Sequence, residues 1–397
     1  MDENELYSEQ KQYGREMQVQ QKTIYEIMHK DTIIAQTDTQ GRTRIFFPSL
    51  MPYGLYLEET ENSQDIDTLV NNALNFNYWC ASRVLTLDRA YAKAILGSIG
   101  MKQAVTDKDR AQIALSCRCV SLTDVYWVRY AGEQAAFQEV NLYENHLDQT
   151  FLDIALRGKQ YTVQNKYLAR DIATNGVFPK AWRRTADGFE LLKDGGGNAV
   201  GRELLASQVC RCFDVSQVYY EADSFDGTRV TVSKNITSLD YSIVSMEAAE
   251  IYCRNQEKNI RQFILDLDSH NYYMMNVIDY LVGNTDRHWG NWGLLVDNKD
   301  NKPLCLHKLM DFNQSFQAYD TLDGGNCQTL FWESQPMTQK EAAKAAVKAI
   351  GLHQTAEVQK ELFAEFPQYY EMFTKRLELL KEVDRMAGSH RQEERQQ

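Results

Sequence analysis

The stretch that most limits how this chain can fold runs from residue 272 to residue 313. It opens on a largely apolar helical run, 272–282, and breaks at Gly283-Asn284-Thr285-Asp286-Arg287-His288-Trp289-Gly290-Asn291. Two short apolar runs follow, 293–296 and 304–309, on either side of Asp297-Asn298-Lys299-Asp300-Asn301, a pattern that predicts a β-hairpin. Met310-Asp311-Phe312-Asn313 lies at its far end. A hairpin returns the chain to where it began, so Asn291 and Asp311 are predicted to meet although 20 positions separate them.

Isolated Asp and Asn residues beside glycines usually make turns. Here a helix exit, Asp-Arg-His-x-x-Asn, a hairpin and Asp-Phe occur together, and turn formation alone does not account for that set. The residue types suit phosphoryl transfer, which needs Mg²⁺ held against phosphates and a carboxylate beside the attacking hydroxyl. Asp286 would be that carboxylate, with Asn291 offering a neutral oxygen and Asp311 a charged one to the ion. His288 is expected to orient the loop by hydrogen bonding, since Asp286 already has the acceptor role. For Arg287 a phosphate and an acidic neighbour remain open as partners. Trp289 and Trp292 are read as packing residues.

The rest of the chain divides around this segment. Residues 1–21, rich in Gln, Glu and Lys, form a lead-in without apolar period. Residues 22–158 form an accessory unit that begins with strands at 24–28, 32–36 and 43–47 and turns to helical spacing over 66–115. In the stretch 77–83 with Asp88-Arg89, a packed helix with an internal salt bridge is expected. Residues 159–236 return to strands at 181–185 and 189–193 around Asp187-Gly188. After Gly195-Gly196-Gly197, read as a flexible connection, Asn198 is expected to cap a helix, with strands at 218–220 and 229–233 beyond it. Residues 237–388 are mainly helical apart from the hairpin, with separate helices at 260–267 and 272–282 and final ones at 340–350 and 357–386. A polar tail, 389–397, closes the chain.

Composition excludes several classes. A net charge of −12 would repel a nucleic-acid backbone, and no run nears the ~20 apolar residues of a membrane span. The eight cysteines include no Cys-x-x-Cys pair, and the N-terminus has no apolar signal core, so a reducing cytoplasmic setting is expected. The Cys-x-Cys pairs at 117/119 and 210/212 are read as buried thiols rather than a zinc site.

The Asp286-x-His288-x-x-Asn291 loop followed by Asp311-Phe312 resembles that of the HipA-like kinases, bacterial relatives of the protein kinases and phosphoinositide kinases. The likeness spans about 160–320 and is most specific in this loop. It implies an α+β, two-lobed protein-kinase-like fold with an N-terminal mixed sheet and helix unit and a mainly helical C-terminal lobe. It also implies use of ATP and Mg²⁺. On that basis Asp286 is the catalytic carboxylate and Asn291 and Asp311 are the metal ligands. Thr174-Asn175-Gly176-Val177-Phe178-Pro179-Lys180 is similar to the family's Gly-x-x-x-Lys phosphate loop, with Gly176 and Lys180 at the matching places. Ala173 stands where many members carry an autophosphorylated serine, so that route of inhibition is not expected. Lys193 is the expected partner of the α- and β-phosphates, held by Glu203. Order along the chain puts the adenine hinge at Val232-Ser233-Lys234. The resemblance implies a serine/threonine kinase acting on a protein substrate, and extends to growth-arresting toxins restrained by a DNA-binding antitoxin. A phosphoinositide or small-molecule kinase and a nucleotide-binding pseudokinase are the alternatives. Asn313, in place of the glycine of Asp-Phe-Gly, keeps the pseudokinase in view.

Overall fold

The computed structural model describes residues 23–60, 65–83, 106–144 and 179–394. The first apolar alternations form β1 (Ile24–His29), β2 (Thr32–Asp38) and β3 (Thr43–Ile45). Asp65 accepts from the Asp67 N–H at the start of α1 (Ile66–Ser82), and Thr106 and Asp109 form a capping box on α2 (Asp107–Ser116). β4 (Tyr126–Tyr130) completes an antiparallel sheet in the order β3-β2-β1-β4. Of the stretch in which an internal salt bridge is expected, residues 77–83 are described. Arg83 reaches across to Asp124, 2.8 and 2.7 Å away, while Asp88 and Arg89 fall outside the described residues.

A second antiparallel sheet, ordered β5-β6-β8-β7, contains β5 (Lys180–Thr185), β6 (Gly188–Lys193), β7 (Tyr220–Phe225) and β8 (Thr228–Lys234). Between β6 and β7 lies α3 (Gly197–Cys210). Its N-cap is Gly196 rather than Asn198, because the Asp194 carboxylate takes the Gly196 N–H at 3.1 Å and holds that residue at φ 78°, a conformation natural to glycine. The strand expected at 218–220 starts only at Tyr220; the Val218 N–H goes instead to Leu309 O at 2.9 Å.

Beyond this sheet the chain is mostly helical, with one strand absent from the sequence reading. β9 (Tyr241–Ser245) lies beside the hairpin of β10 (Gly293–Asp297) and β11 (Lys302–Leu306), in the order β11-β10-β9. Ser245 caps α4 (Met246–Asn255). The two helices expected at 260–267 and 272–282 are both present and are labelled together as α5 (Ile260–Val282), meeting at a kink where Asp268 leaves helical geometry. The Asp268 carboxylate caps the second half through Asn271 N at 3.1 Å and fastens the hairpin through Leu306 N at 3.0 Å. After α6 (Gln339–Ile350) the predicted helix from 357 is broken into two short turns, Lys360–Phe363 and Pro367–Tyr369. Pro367 cannot donate the hydrogen bond that helix continuation needs, and α7 (Tyr370–Glu394) begins only past it.

The largest apolar core joins α3, α5, α6 and α7 to the hairpin through Val209, Ile278, Leu294, Val347 and Phe373. A second core joins the first unit to the second sheet, with Leu55, Phe76 and Trp79 clustered with Leu192 and Val230. Further ties run from the first unit to the hairpin, from Tyr53 Oη to Asn301 O at 3.0 Å and from Asn301 Nδ2 to Met51 O at 2.9 Å. No helix among the described residues is long and apolar enough to cross a membrane.

Candidate functional site

The loop after α5 is folded by one buried carboxylate. α5 stops at Gly283, whose φ of 58° suits glycine, and a Cβ there would lie 2.6 Å from the Tyr319 ring. Asp279, one turn back on the apolar helix, takes Asn284 Nδ2 at 3.2 Å, and Arg287 Nε and Nη2 at 3.0 and 3.1 Å. Asn284 in turn accepts from Asp286 N at 3.2 Å. Arg287 is almost completely buried, and its Nη1 donates to Asn291 O at 3.1 Å and also to Met310 O. One guanidinium therefore binds the end of the loop to the residue before Asp311. Its partners are an acid and two carbonyls, which decides the question that sequence left open and leaves little of it for a phosphate.

Within the loop Asn291 Nδ2 donates to Asp286 O at 2.7 Å, and Asn291 Oδ1 accepts no hydrogen bond among the described residues. His288 Nδ1 accepts from Gly290 N at 3.1 Å, and its Nε2 is 3.9 Å from Asp286 Oδ1. Asp286 is partly buried, and burial raises its pKa above the ordinary carboxylate value. The negative charge of Asp311 adds to that rise, while His288, Arg287 and Lys193 oppose it.

Across from this loop, Lys193 Nζ lies 3.0 Å from Glu203 Oε1 and 3.1 Å from Asp311 Oδ1. Thr231 Oγ1 holds the second Glu203 oxygen at 2.6 Å. Tyr220 Oη accepts from Asp311 N at 3.0 Å, steadying a residue whose φ of +61° few side chains adopt. Burial alone would favour neutral Lys193, yet Asp311 and Glu203 outweigh it and hold the ammonium's pKa well above normal. Burial would likewise raise Asp311, but Lys193 and then Lys180 bring it down to about 2. Lys180 starts β5 directly opposite Lys193 in the register, so two lysines serve the same acid.

Most of the residues selected from sequence thus lie in one neighbourhood: Lys180, Lys193, Glu203, Asp286, His288, Asn291 and Asp311. Gly176 lies outside the described residues. Ser233 sits inside β8, buried, between Leu191 and Tyr220 in the ladder, and the chain leaves the sheet just after it. Trp292 is buried in the main core, as expected of a packing residue. All eight cysteines are free thiols. Sequence reasoning missed Asp279, Asn284, Tyr220 and Thr231. For Asp279 a signal was available, the one acid in the largely apolar run 272–282; a tyrosine and a threonine on strands carry none.

No family model matches the chain, and no curated protein is similar to it in sequence. Solved structures are similar in fold. A chain of the Shewanella oneidensis MR-1 toxin–antitoxin complex of HipA, HipB and operator DNA aligns at TM-score 0.53 and 11% identity, covering 91% of this chain and 99% of that one. The Helicobacter pylori proinflammatory kinase CtkA aligns at TM-score 0.44 and 13% identity, over 54% of this chain and 93% of that one. The fold is α+β, with an N-terminal sheet and helix region and a more helical C-terminal region. Its likeness is to the HipA–HipB complex chain, and it is a likeness of fold.

Proposed function

We propose that this chain is an ATP- and Mg²⁺-dependent phosphotransferase, a HipA-like kinase acting on serine or threonine hydroxyls of a protein. The observation that carries the reading is the bridge from Glu203 through Lys193 to Asp311, which joins α3 and the second sheet to the segment beyond the hairpin. Such a bridge keeps an ammonium charged and fixed beside an ionised carboxylate, which is what a polyphosphate site requires. The donor set also suits a hard cation. Asp311 remains ionised, and the amide of Asn291 is turned by its Nδ2 bond so that Oδ1 has no hydrogen-bond donor among the described residues. Mg²⁺ bound there would neutralise phosphate charge during transfer.

In this scheme Lys193 releases Asp311 to the cation and meets the α- and β-phosphates while Glu203 keeps it in place. Asp286, with its raised pKa, accepts the proton of the acceptor hydroxyl. Asn291 braces Asp286 through its backbone carbonyl, and His288 orients the loop. Lys180 adds positive charge on the phosphate side. Ser233 and Gly176 are proposed at the adenine and phosphate ends of the nucleotide. Likeness of fold to the HipA–HipB–operator complex supports proposing a DNA-binding antitoxin as partner. The test is incubation of purified protein with labelled ATP, Mg²⁺ and a cell lysate. Label in protein supports the reading, label in lipid or a small molecule makes it another kind of kinase, and no label makes the chain a binding module.

A further inference from the structure

Well apart in sequence from the proposed nucleotide residues, Asp214, His270 and His353 bring three ligand atoms within 4.8 Å of one another. Each comes from a different element. Asp214 follows the end of α3, His270 lies just past the bend of α5 at Asp268, and His353 follows α6. The backbone already fastens two of these places together, through Asp214 N to His353 O at 2.9 Å and a bridge between Phe213 and Gln354.

The geometry points to a surface site for a divalent transition-metal ion, zinc foremost, held by one ring nitrogen from each of His270 and His353 and a carboxylate oxygen of Asp214. Two imidazoles and one carboxylate are a donor set that suits zinc, nickel or copper and suits Mg²⁺ poorly. The site is therefore chemically distinct from the one formed by Asn291 and Asp311.

The details of the cluster favour binding. His353 Nε2 is 2.7 Å from Ile350 O; donation there fixes the tautomer and leaves the lone pair on Nδ1, the arrangement by which a second hydrogen bond orients a metal-binding histidine. His353 itself is held at φ 50°, an uncommon backbone conformation for such a residue. His270 Nε2 lies 2.8 Å from Asp214 O and 3.4 Å from Asp214 Oδ2, so a cation bound at Nε2 would take the place of a proton directed at the Asp214 carbonyl and would have the carboxylate beside it. The two rings meet edge to face with centroids 4.9 Å apart, close enough to share one ion. The Asp214 side chain is 66% exposed, which leaves room for water as a fourth ligand. A bound ion would tie the end of the helix carrying Glu203 to the helix that delivers Asp286.

The experiment titrates the intact, reduced protein with Zn²⁺ in competition with a chromophoric chelator. It compares the parent with Asp214→Asn and with the double variant His270→Gln/His353→Gln. The parent is expected to take up one equivalent that the double variant does not. Asp214→Asn is expected to weaken uptake by at least about 10-fold, the low end of what loss of even an outer-shell partner costs. Because the cysteines are free thiols, Co²⁺ then identifies the ligands: visible d–d bands are expected without thiolate-to-cobalt charge transfer. Equal uptake by parent and double variant, no uptake by the parent, unweakened uptake by Asp214→Asn, or a thiolate band would each overturn the site.

Discussion

Lys193 on the second sheet and Asp311 beyond the end of the hairpin lie 3.1 Å apart, Nζ to Oδ1, so an ion pair helps to join two sheets that share no strand. In the proposed function the same pair must open to admit a nucleotide. Its energetics and its pH dependence therefore test the account.

Replacing Lys193 by Met leaves Glu203 buried and Asp311 without its nearest cation. Removing one partner of a buried pair costs about 3–5 kcal/mol, so Lys193→Met is expected to lose stability on that scale in denaturant unfolding, and to lose ATP binding. The added change Glu203→Gln should restore part of the stability and none of the binding. A single variant as stable as the parent would contradict the buried bridge.

The Asp311 pKa is depressed from 3.8 to about 2. A depressed carboxylate contributes stability that is complete above its unfolded pKa and is lost as pH falls through its folded one. The stability difference between parent and Asp311→Asn should thus be constant above about pH 4 and shrink below it, measured by urea unfolding from about pH 6 to about pH 3. A difference that grew on acidification would reverse the sign and refute the pairing.

Asp286 has the opposite shift, raised first by burial and further by Asp311. The acidic limb of kcat/KM should lie above the normal carboxylate range. His288 opposes that rise, so His288→Gln should move the limb to still higher pH. A limb that stayed in place or moved down would exclude Asp286 as the group responsible.

Two substitutions test how the loop is built. Arg287→Met strips Asp279 of its buried partner and should cost about 3–5 kcal/mol. Gly283→Ala imposes a left-handed conformation on a side chain that meets the Tyr319 ring, and should cost about 1–3 kcal/mol. Thermal unfolding reads both. An unchanged midpoint for either would mean that the loop does not depend on that contact.

Much of this site was legible in the sequence because its signals are local. The turn at Asp187-Gly188 and the hairpin at 293–306 show as paired apolar runs, and Lys193 and Glu203 stand ten residues apart on consecutive elements. Signals that depend on a distant partner were not legible. β9 is Tyr-Ser-Ile-Val-Ser, too short and polar to stand out, and becomes a strand because β10 pairs with it, Val244 opposite Leu294. Gly196 displaced Asn198 as cap through the Asp194 side chain. The partner of Arg287 stayed open in the sequence because Asp279 reaches it only once the loop is folded.

The most direct measurement of the central claim compares the parent with Asp286→Ala for transfer of labelled γ-phosphate and, separately, for ATP binding by calorimetry with and without Mg²⁺. The account predicts a loss in turnover of about 10²–10⁴-fold with nucleotide binding retained, the size expected for a positioned acid–base group. Undiminished transfer by Asp286→Ala would contradict it.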